Sequence, residues 1–239
     1  MARKPLFGGD FVEHFGRMGF RDSDFCKQLA LVALFAVAMG YLEAAVVAYL
    51  RELYYPEGFV FPLKGMPGRI IAIELAREFA TIVMLAAIAG IAGRKRWERF
   101  GYFLTLFGIW DIFYYVWLKV MLGWPSTLVD WDMLFLIPVP WIAPVIAPVL
   151  VALLMTVCGI LITRRIAGGG EFLPGRLAWM GGVLATFAIL YSFMRDTKAS
   201  TGQGSPDAYS YPLLVIGLAL YIGVFALTWR KSLGQQRTQ

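Results

Sequence analysis

The 239-residue chain is 59% hydrophobic, 15% aromatic and only 16% charged, and its mean hydropathy is +0.65. Soluble domains carry about 25% charged residues, so the composition excludes an ordinary soluble domain, and equally a disordered chain, a coiled coil or a disulfide scaffold. Its apolar residues fall in long runs, which indicates a membrane protein that crosses the bilayer several times.

Residues 1–27 are mixed polar and aromatic and lack the short apolar core of a secretory signal. Asp10 and Glu13 have the spacing of a capping box, and Phe11 and Phe15 follow one another at helical spacing. The pattern predicts a short amphipathic helix that lies on the membrane surface.

Six apolar segments follow, each near or above the roughly 20 residues that the bilayer core demands. The sequence therefore predicts an all-α integral membrane protein with an amphipathic arm at 1–27, a six-helix transmembrane domain at 28–231 and a tail at 232–239. The predicted spans are Phe25–Tyr54, Arg69–Gly93, Trp97–Leu122, Trp141–Thr163, Leu177–Met194 and Tyr211–Trp229.

The stretch before the fourth span has its own pattern. Asp132 precedes a short apolar run and is a candidate helix cap, and Pro138 and Pro140 end that run. We expect an interfacial or re-entrant helix here. Pro140, Pro144 and Pro148 recur every four residues, and we expect them on one face of the fourth span, where they free backbone carbonyls.

Basic residues set the orientation of a membrane protein. The N-terminus, the second and fourth connections and the C-terminus together carry 15 of the 22 Lys and Arg, the other three connections carry six, and Arg77 lies inside the second span. This asymmetry places both termini in the cytoplasm and predicts a multi-pass protein of the bacterial inner membrane.

Five charged residues lie deep inside the predicted spans, away from their ends, where a charge is costly and is a functional candidate by default. They are Glu43 in the first span, Glu74, Arg77 and Glu78 in the second, and Asp111 in the third.

Three of these carboxylates lie at a similar depth. Glu43, Glu78 and Asp111 are ten or eleven residues inside the outer ends of their spans, or roughly 15–16 Å at the helical rise of 1.5 Å per residue. Because isolated charges cannot face lipid, we expect them to converge, and they are a candidate cation site.

Arg77 follows Glu74 by three residues, so the two can pair within one helix. One interpretation is that Arg77 and its acids only fasten helices together. The other is a polar pocket open to the outer side. One arginine cannot neutralise all four acids, which favours the pocket.

Tyr114 and Tyr115 follow Asp111 by three and four residues, so their phenols share its helix face. Together with Asp132 they are candidates for the pocket lining. An aromatic belt at the membrane surface is the alternative.

No cofactor is predicted. The single histidine, His14, argues against haem and histidine-rich metal sites. Cys26 and Cys158 are far apart and form no CxxC, and no hydrolase, P-loop or dinucleotide motif is present. The net charge of +6 reflects loop residues that set topology, so no nucleic-acid partner is predicted.

Three functional classes stay open: a carrier or channel, a membrane-embedded enzyme that acts on a lipid or isoprenoid through carboxylate acid–base chemistry, and a non-catalytic subunit. The inner halves of the spans are almost purely apolar, which disfavours transport. We therefore expect an outward-facing, carboxylate-rich pocket for a cation, a proton or a small or lipid ligand. The bilayer is the certain partner, and a membrane protein or a second copy is an expected one.

The charge asymmetry predicts the outcome of reporter fusions. Fusions after Arg96, after Arg165 and at the C-terminus should report cytoplasm, and fusions at Pro62 and Gly202 should report periplasm. Alkaline phosphatase and green fluorescent protein fusions measure this directly. A periplasmic C-terminus would contradict the orientation.

Overall fold

A computed structural model describes residues 9–200 and 203–236, with side chains described for 23–196, 198–199 and 203–234. Six helices within this part are long and apolar enough to cross a membrane, which confirms the predicted all-α, six-span fold. The elements are α1 (Gly9–Tyr54), α2 (Gly68–Ala92), α3 (Arg96–Leu122), β1 (Trp131–Phe135), β2 (Trp141–Pro144), α4 (Ile146–Ala167), α5 (Arg176–Met194), α6 (Thr197–Ser200) and α7 (Tyr211–Gln236).

The outward faces of the long helices are apolar. Only 17 to 39% of the most apolar window of each span is buried inside the protein, and side chains such as Leu34, Ile91 and Leu177 are largely exposed. Exposed apolar surface on this scale is not stable in water. The helices therefore contact a lipid bilayer, and the chain is a multi-pass membrane protein.

Helix α3 is the centre of the bundle and packs against α1, α2 and α4, whereas α5 pairs mainly with α7. Small residues allow the closest of these contacts. A Cβ on Gly159 would lie 2.5 Å from the Gly101 carbonyl oxygen, and a Cβ on Gly108 would collide with the Ala152 carbonyl. Helices in membranes associate through such small residues, because lipid removes the hydrophobic drive between them.

The N-terminal arm is not a separate helix along its described backbone, because α1 runs unbroken from Gly9 to Tyr54. Residues 1–8 and the side chains of 9–22 lie outside the described part, and with them the predicted amphipathic face.

The segment before the fourth span forms a β-hairpin, so the prediction of a short helix there is wrong. Strands β1 and β2 pair antiparallel, with Asp132 opposite Ala143 and a bulge between Met133 and Phe135. The apolar run is too short to nucleate a helix. Pro138 and Pro140, which lack backbone N–H groups, occupy the turn, where no ladder donor is needed.

The hairpin also shifts the fourth span, because α4 begins at Ile146 and not at Trp141. Pro140 and Pro144 therefore precede the helix, and only Pro148 lies in its first turn, where an N–H has no helical partner. The expectation of a proline face that frees carbonyls within the span is wrong for this reason.

Candidate functional site

A cavity of about 440 Å³ lies between α1, α2, α3 and β1, next to the connection 55–67. Its lining includes seven of the eight residues that the sequence singled out. Apolar and aromatic side chains, among them Val47, Ile71 and Trp110, form most of the remaining wall. The seven are Glu43, Glu74, Arg77, Glu78, Asp111, Tyr114 and Asp132.

Arg77 links two helices through two carboxylates. Its Nε donates to Glu74 Oε2 at 2.8 Å, within α2, and its Nη1 donates to Glu43 Oε1 on α1. The Thr81 hydroxyl lies 3.4 Å from the other Glu43 oxygen. The sequence predicted a pairing with Glu74 or Glu78, and the structure pairs Arg77 with Glu74 and with Glu43.

Within the described residues, the Glu78 side chain makes no hydrogen bond or ion pair with Arg77. Its two carboxylate oxygens accept the backbone N–H of Leu136 at 2.9 and 3.1 Å, so this glutamate fastens the end of β1 to α2. Glu78 is buried, and a hydrogen bond to a charged group inside a protein contributes about 1.5–3 kcal/mol. The role follows from the hairpin, which the sequence did not predict.

Arg51 lines the cavity and is not among the residues that the sequence singled out. Its Nη2 donates to Asp132 Oδ1 at 2.7 Å, and both side chains are buried, with relative exposures of 7% and 2%. The guanidinium carbon also lies 3.8 Å from the centre of the Trp124 ring and 4.4 Å from that of Phe59. Cation–π contacts of this kind compensate a desolvated arginine.

The count of basic residues treated Arg51 as a loop charge, although it lies inside α1. The available signal was its position two helical turns beyond Glu43, with Val47 between them. All three residues line the cavity.

Asp132 is enclosed on every side. Burial raises the pKa of its carboxyl, while Arg51 and the Met133 amide act in the opposite direction. The Tyr114 hydroxyl lies 3.5 Å from Asp132 Oδ2. Tyr115 is buried beside Tyr114 with ring centres 4.8 Å apart and does not line the cavity, but its side chain hydrogen-bonds the Asp132 carboxyl.

Asp111 differs from the other acids of the cavity. Its carboxyl makes no hydrogen bond or ion pair within the described residues. Asp111 lines the cavity, where it interacts electrostatically with the carboxylates of Asp132 and Glu43. Its helix neighbours Trp110 and Tyr114 are buried. An acid in this position needs a proton, a cation or water.

The charges of the lining do not balance. Five carboxylates face the cavity, against the guanidinium groups of Arg51 and Arg77 and the exposed ammonium group of Lys64 at the loop. Arg77 is shared by two acids and Arg51 is matched by one. Within the described residues, Glu78 and Asp111 thus have no basic partner, so the ionised cavity carries a net negative charge.

A metal ion would need several ligating groups at short range. Within the described part of the chain, no group of three or more His, Cys, Asp or Glu side chains is placed to hold one. The arrangement therefore gives no support to Glu43, Glu78 and Asp111 as joint metal ligands. Carboxylates spread around a wide cavity suit a larger ligand.

Comparisons with family models, with curated proteins and with solved structures give no match for this chain. The function is therefore argued from the geometry of the cavity.

We expect Arg77→Met to destabilise the protein more than Glu43→Gln. Loss of Arg77 leaves two carboxylates without their shared counter-charge and should cost about 3 kcal/mol, at the lower end of values for broken buried pairs because the side chain is 21% exposed. Glu43→Gln leaves the Arg77–Glu74 pair intact.

Thermal unfolding of both variants in the same detergent measures the order. Glu57→Gln, on an exposed loop position, is the matched control for a lost carboxylate. An Arg77→Met variant as stable as the parent, beside a collapsed Glu43→Gln variant, would contradict the assigned pairing.

Proposed function

We propose that this chain is an inner-membrane protein whose cavity binds a cationic ligand from the periplasmic side. The observation that carries the proposal is the surplus of acid in the cavity: in the part of the chain that the structure describes, Glu78 and Asp111 lack basic partners, and Glu43 and Glu74 share one arginine. Because the surrounding bilayer screens these carboxylates less than water would, binding of a cation between them is electrostatically favourable.

Access comes from one side of the bundle. The exposed loop residues Lys64 and Gly65 line the cavity, and so does half-buried Met66. This loop joins α1 to α2 on the side of the membrane opposite the basic connections. The charge asymmetry assigns that side to the periplasm. The inner halves of the helices are apolar, so the proposal is a binding site and not a pathway through the membrane.

The cavity is large enough for an organic molecule. Ligand pockets commonly measure about 300–1,000 Å³, and this one measures about 440 Å³. Its mixture of acids, tyrosine hydroxyls and apolar wall would orient a ligand by its charge and hold the rest by contact.

The test is the charge selectivity of a cysteine placed in the cavity. In a background of Cys26→Ser and Cys158→Ala, Met66→Cys lines the cavity, and Val60→Cys on the same loop is 61% exposed and lies outside it. Each variant, in proteoliposomes, reacts with two membrane-impermeant methanethiosulfonates of equal size, one trimethylammonium and one sulfonate.

We expect the cation-to-anion rate ratio to be about tenfold higher at Met66→Cys than at Val60→Cys, which corresponds to about 1.4 kcal/mol of local electrostatic free energy. Met66 and Val60 lie on the same loop as Lys64 and on the same side of the membrane, so the charges of the loop and of the membrane surface affect both rate ratios. The difference between the two ratios therefore reports the charge of the cavity. Equal ratios at the two positions, or a faster anion at Met66→Cys, would contradict a cation-binding site.

A further inference from the structure

The walls of the cavity narrow the chemical class of its ligand. Asp111 is ionisable and has no hydrogen-bond or ion-pair partner within the described residues, while apolar side chains from several elements line the same cavity, among them Val47 on α1, Ile71 on α2 and Leu134 on β1. An inorganic cation would leave this apolar surface facing water. A ligand that carries both a charge and an apolar group would cover both.

A second observation shows that the cavity does not satisfy its own polar groups. Arg51 lines the cavity and is 6% exposed, yet its Nε and Nη1 have no hydrogen-bond partner in the described part of the chain. Buried polar groups are nearly always paired. The Arg51 donors need an acceptor, which water or the phosphate of an aminophospholipid supplies and an alkylammonium group does not. This observation therefore indicates an incomplete site, and the positive charge of the ligand is argued from Asp111.

The absence of a metal-like cluster among the described residues points the same way. Four of the five carboxylates are already occupied by partners in the protein: Glu43 and Glu74 by Arg77, Glu78 by the Leu136 amide and Asp132 by Arg51. An ammonium group needs only one free carboxylate and a few acceptors, because it has no fixed coordination geometry. Asp111 supplies that carboxylate.

We propose that the ligand is an amphipathic organic ammonium ion, with its charged group at Asp111 and its apolar group against the walls from α1, α2 and β1. This proposal rests on the proposed function. The same chemistry is found in a free hydrophobic amine and in the headgroup and chains of an aminophospholipid, and the experiment below distinguishes these two sources.

The test is protection of Met66→Cys against a small neutral thiol reagent, methyl methanethiosulfonate, in nanodiscs of phosphatidylglycerol. The probes are ethyl-, butyl- and hexylammonium, with hexanol as the neutral counterpart of equal length. Val60→Cys, outside the cavity, reports any effect of probe partitioning into the bilayer.

We expect the half-protecting concentration to fall with chain length by up to about fourfold per methylene, the factor that corresponds to roughly 0.8 kcal/mol per buried CH₂. Hexanol should protect at least tenfold less well than hexylammonium, and Val60→Cys should not be protected. Asp111→Asn should raise the half-protecting concentration of hexylammonium at least tenfold, while Glu52→Gln, at an exposed acid of α1, should not change it.

Should Asp111→Asn fail to fold, the chain-length series and the hexanol comparison on the Asp111 protein still decide. Protection by all the ammonium ions that does not depend on length would overturn this inference and leave the cation site standing. Protection by hexanol equal to that by hexylammonium would overturn the role of the ammonium group. If Met66→Cys reacts preferentially with the cationic reagent but no amine protects it, the proposed ligand class is wrong and the proposed cation site is retained.

Repeating the labelling in nanodiscs that also contain phosphatidylethanolamine identifies the source. Slower modification of Met66→Cys in those discs, reversed by Asp111→Asn, supports the lipid as the source. Unchanged modification, with protection by the added amines retained, supports a free amine.

Discussion

The constraint on which this structure depends is that a charge inside a bilayer must be compensated by a counter-charge, by hydrogen bonds or by a bound ligand. Arg77 meets that constraint by holding Glu43 and Glu74 together, and it thereby joins α1 to α2. Arg51 lies two helical turns beyond Glu43 along α1, and its ion pair with Asp132 joins α1 to the hairpin. Two arginines thus fix the distances between the three walls of the cavity, and glycine contacts between α3 and α4 provide the rigid support behind them.

The hairpin is the element that makes the site. It is fastened at one point by the Arg51–Asp132 pair and at another by the Leu136 amide, which donates to Glu78. Without it, Glu78 would lack a partner and the polar region between α1, α2 and α3 would be open to the loop side. With it, the region becomes a cavity walled on three sides and lined by the 55–67 connection, in which partly screened charges act on a ligand.

The sequence predicts the six spans because length and apolarity alone define them. Seven of the eight residues that it singles out line the cavity, and five of these are intramembrane charges, which must face inward. It does not predict the hairpin, since five apolar residues next to prolines fit a short helix or a strand equally well, and only the pairing with Trp141–Pro144 decides. Arg51 was missed for a related reason. Its partner, Asp132, lies 81 residues away, and a contact at that separation has no signature in local spacing. Tyr115 shows what helix periodicity cannot resolve. The residues three and four positions after Asp111 lie on the same broad face of the helix, yet of these two tyrosines only Tyr114 lines the cavity.

The central claim is that an organic cation completes the cavity at Asp111. The most direct measurement is a density map of the full chain extracted from its native membrane with its lipids, without detergent. The account predicts density for an organic molecule inside the cavity, with a nitrogen-sized terminus at hydrogen-bond distance, roughly 3 Å, from the Asp111 carboxylate, and loss of that density in Asp111→Asn. A cavity that holds only ordered water, with Asp111 hydrogen-bonded to the protein in both samples, would contradict it.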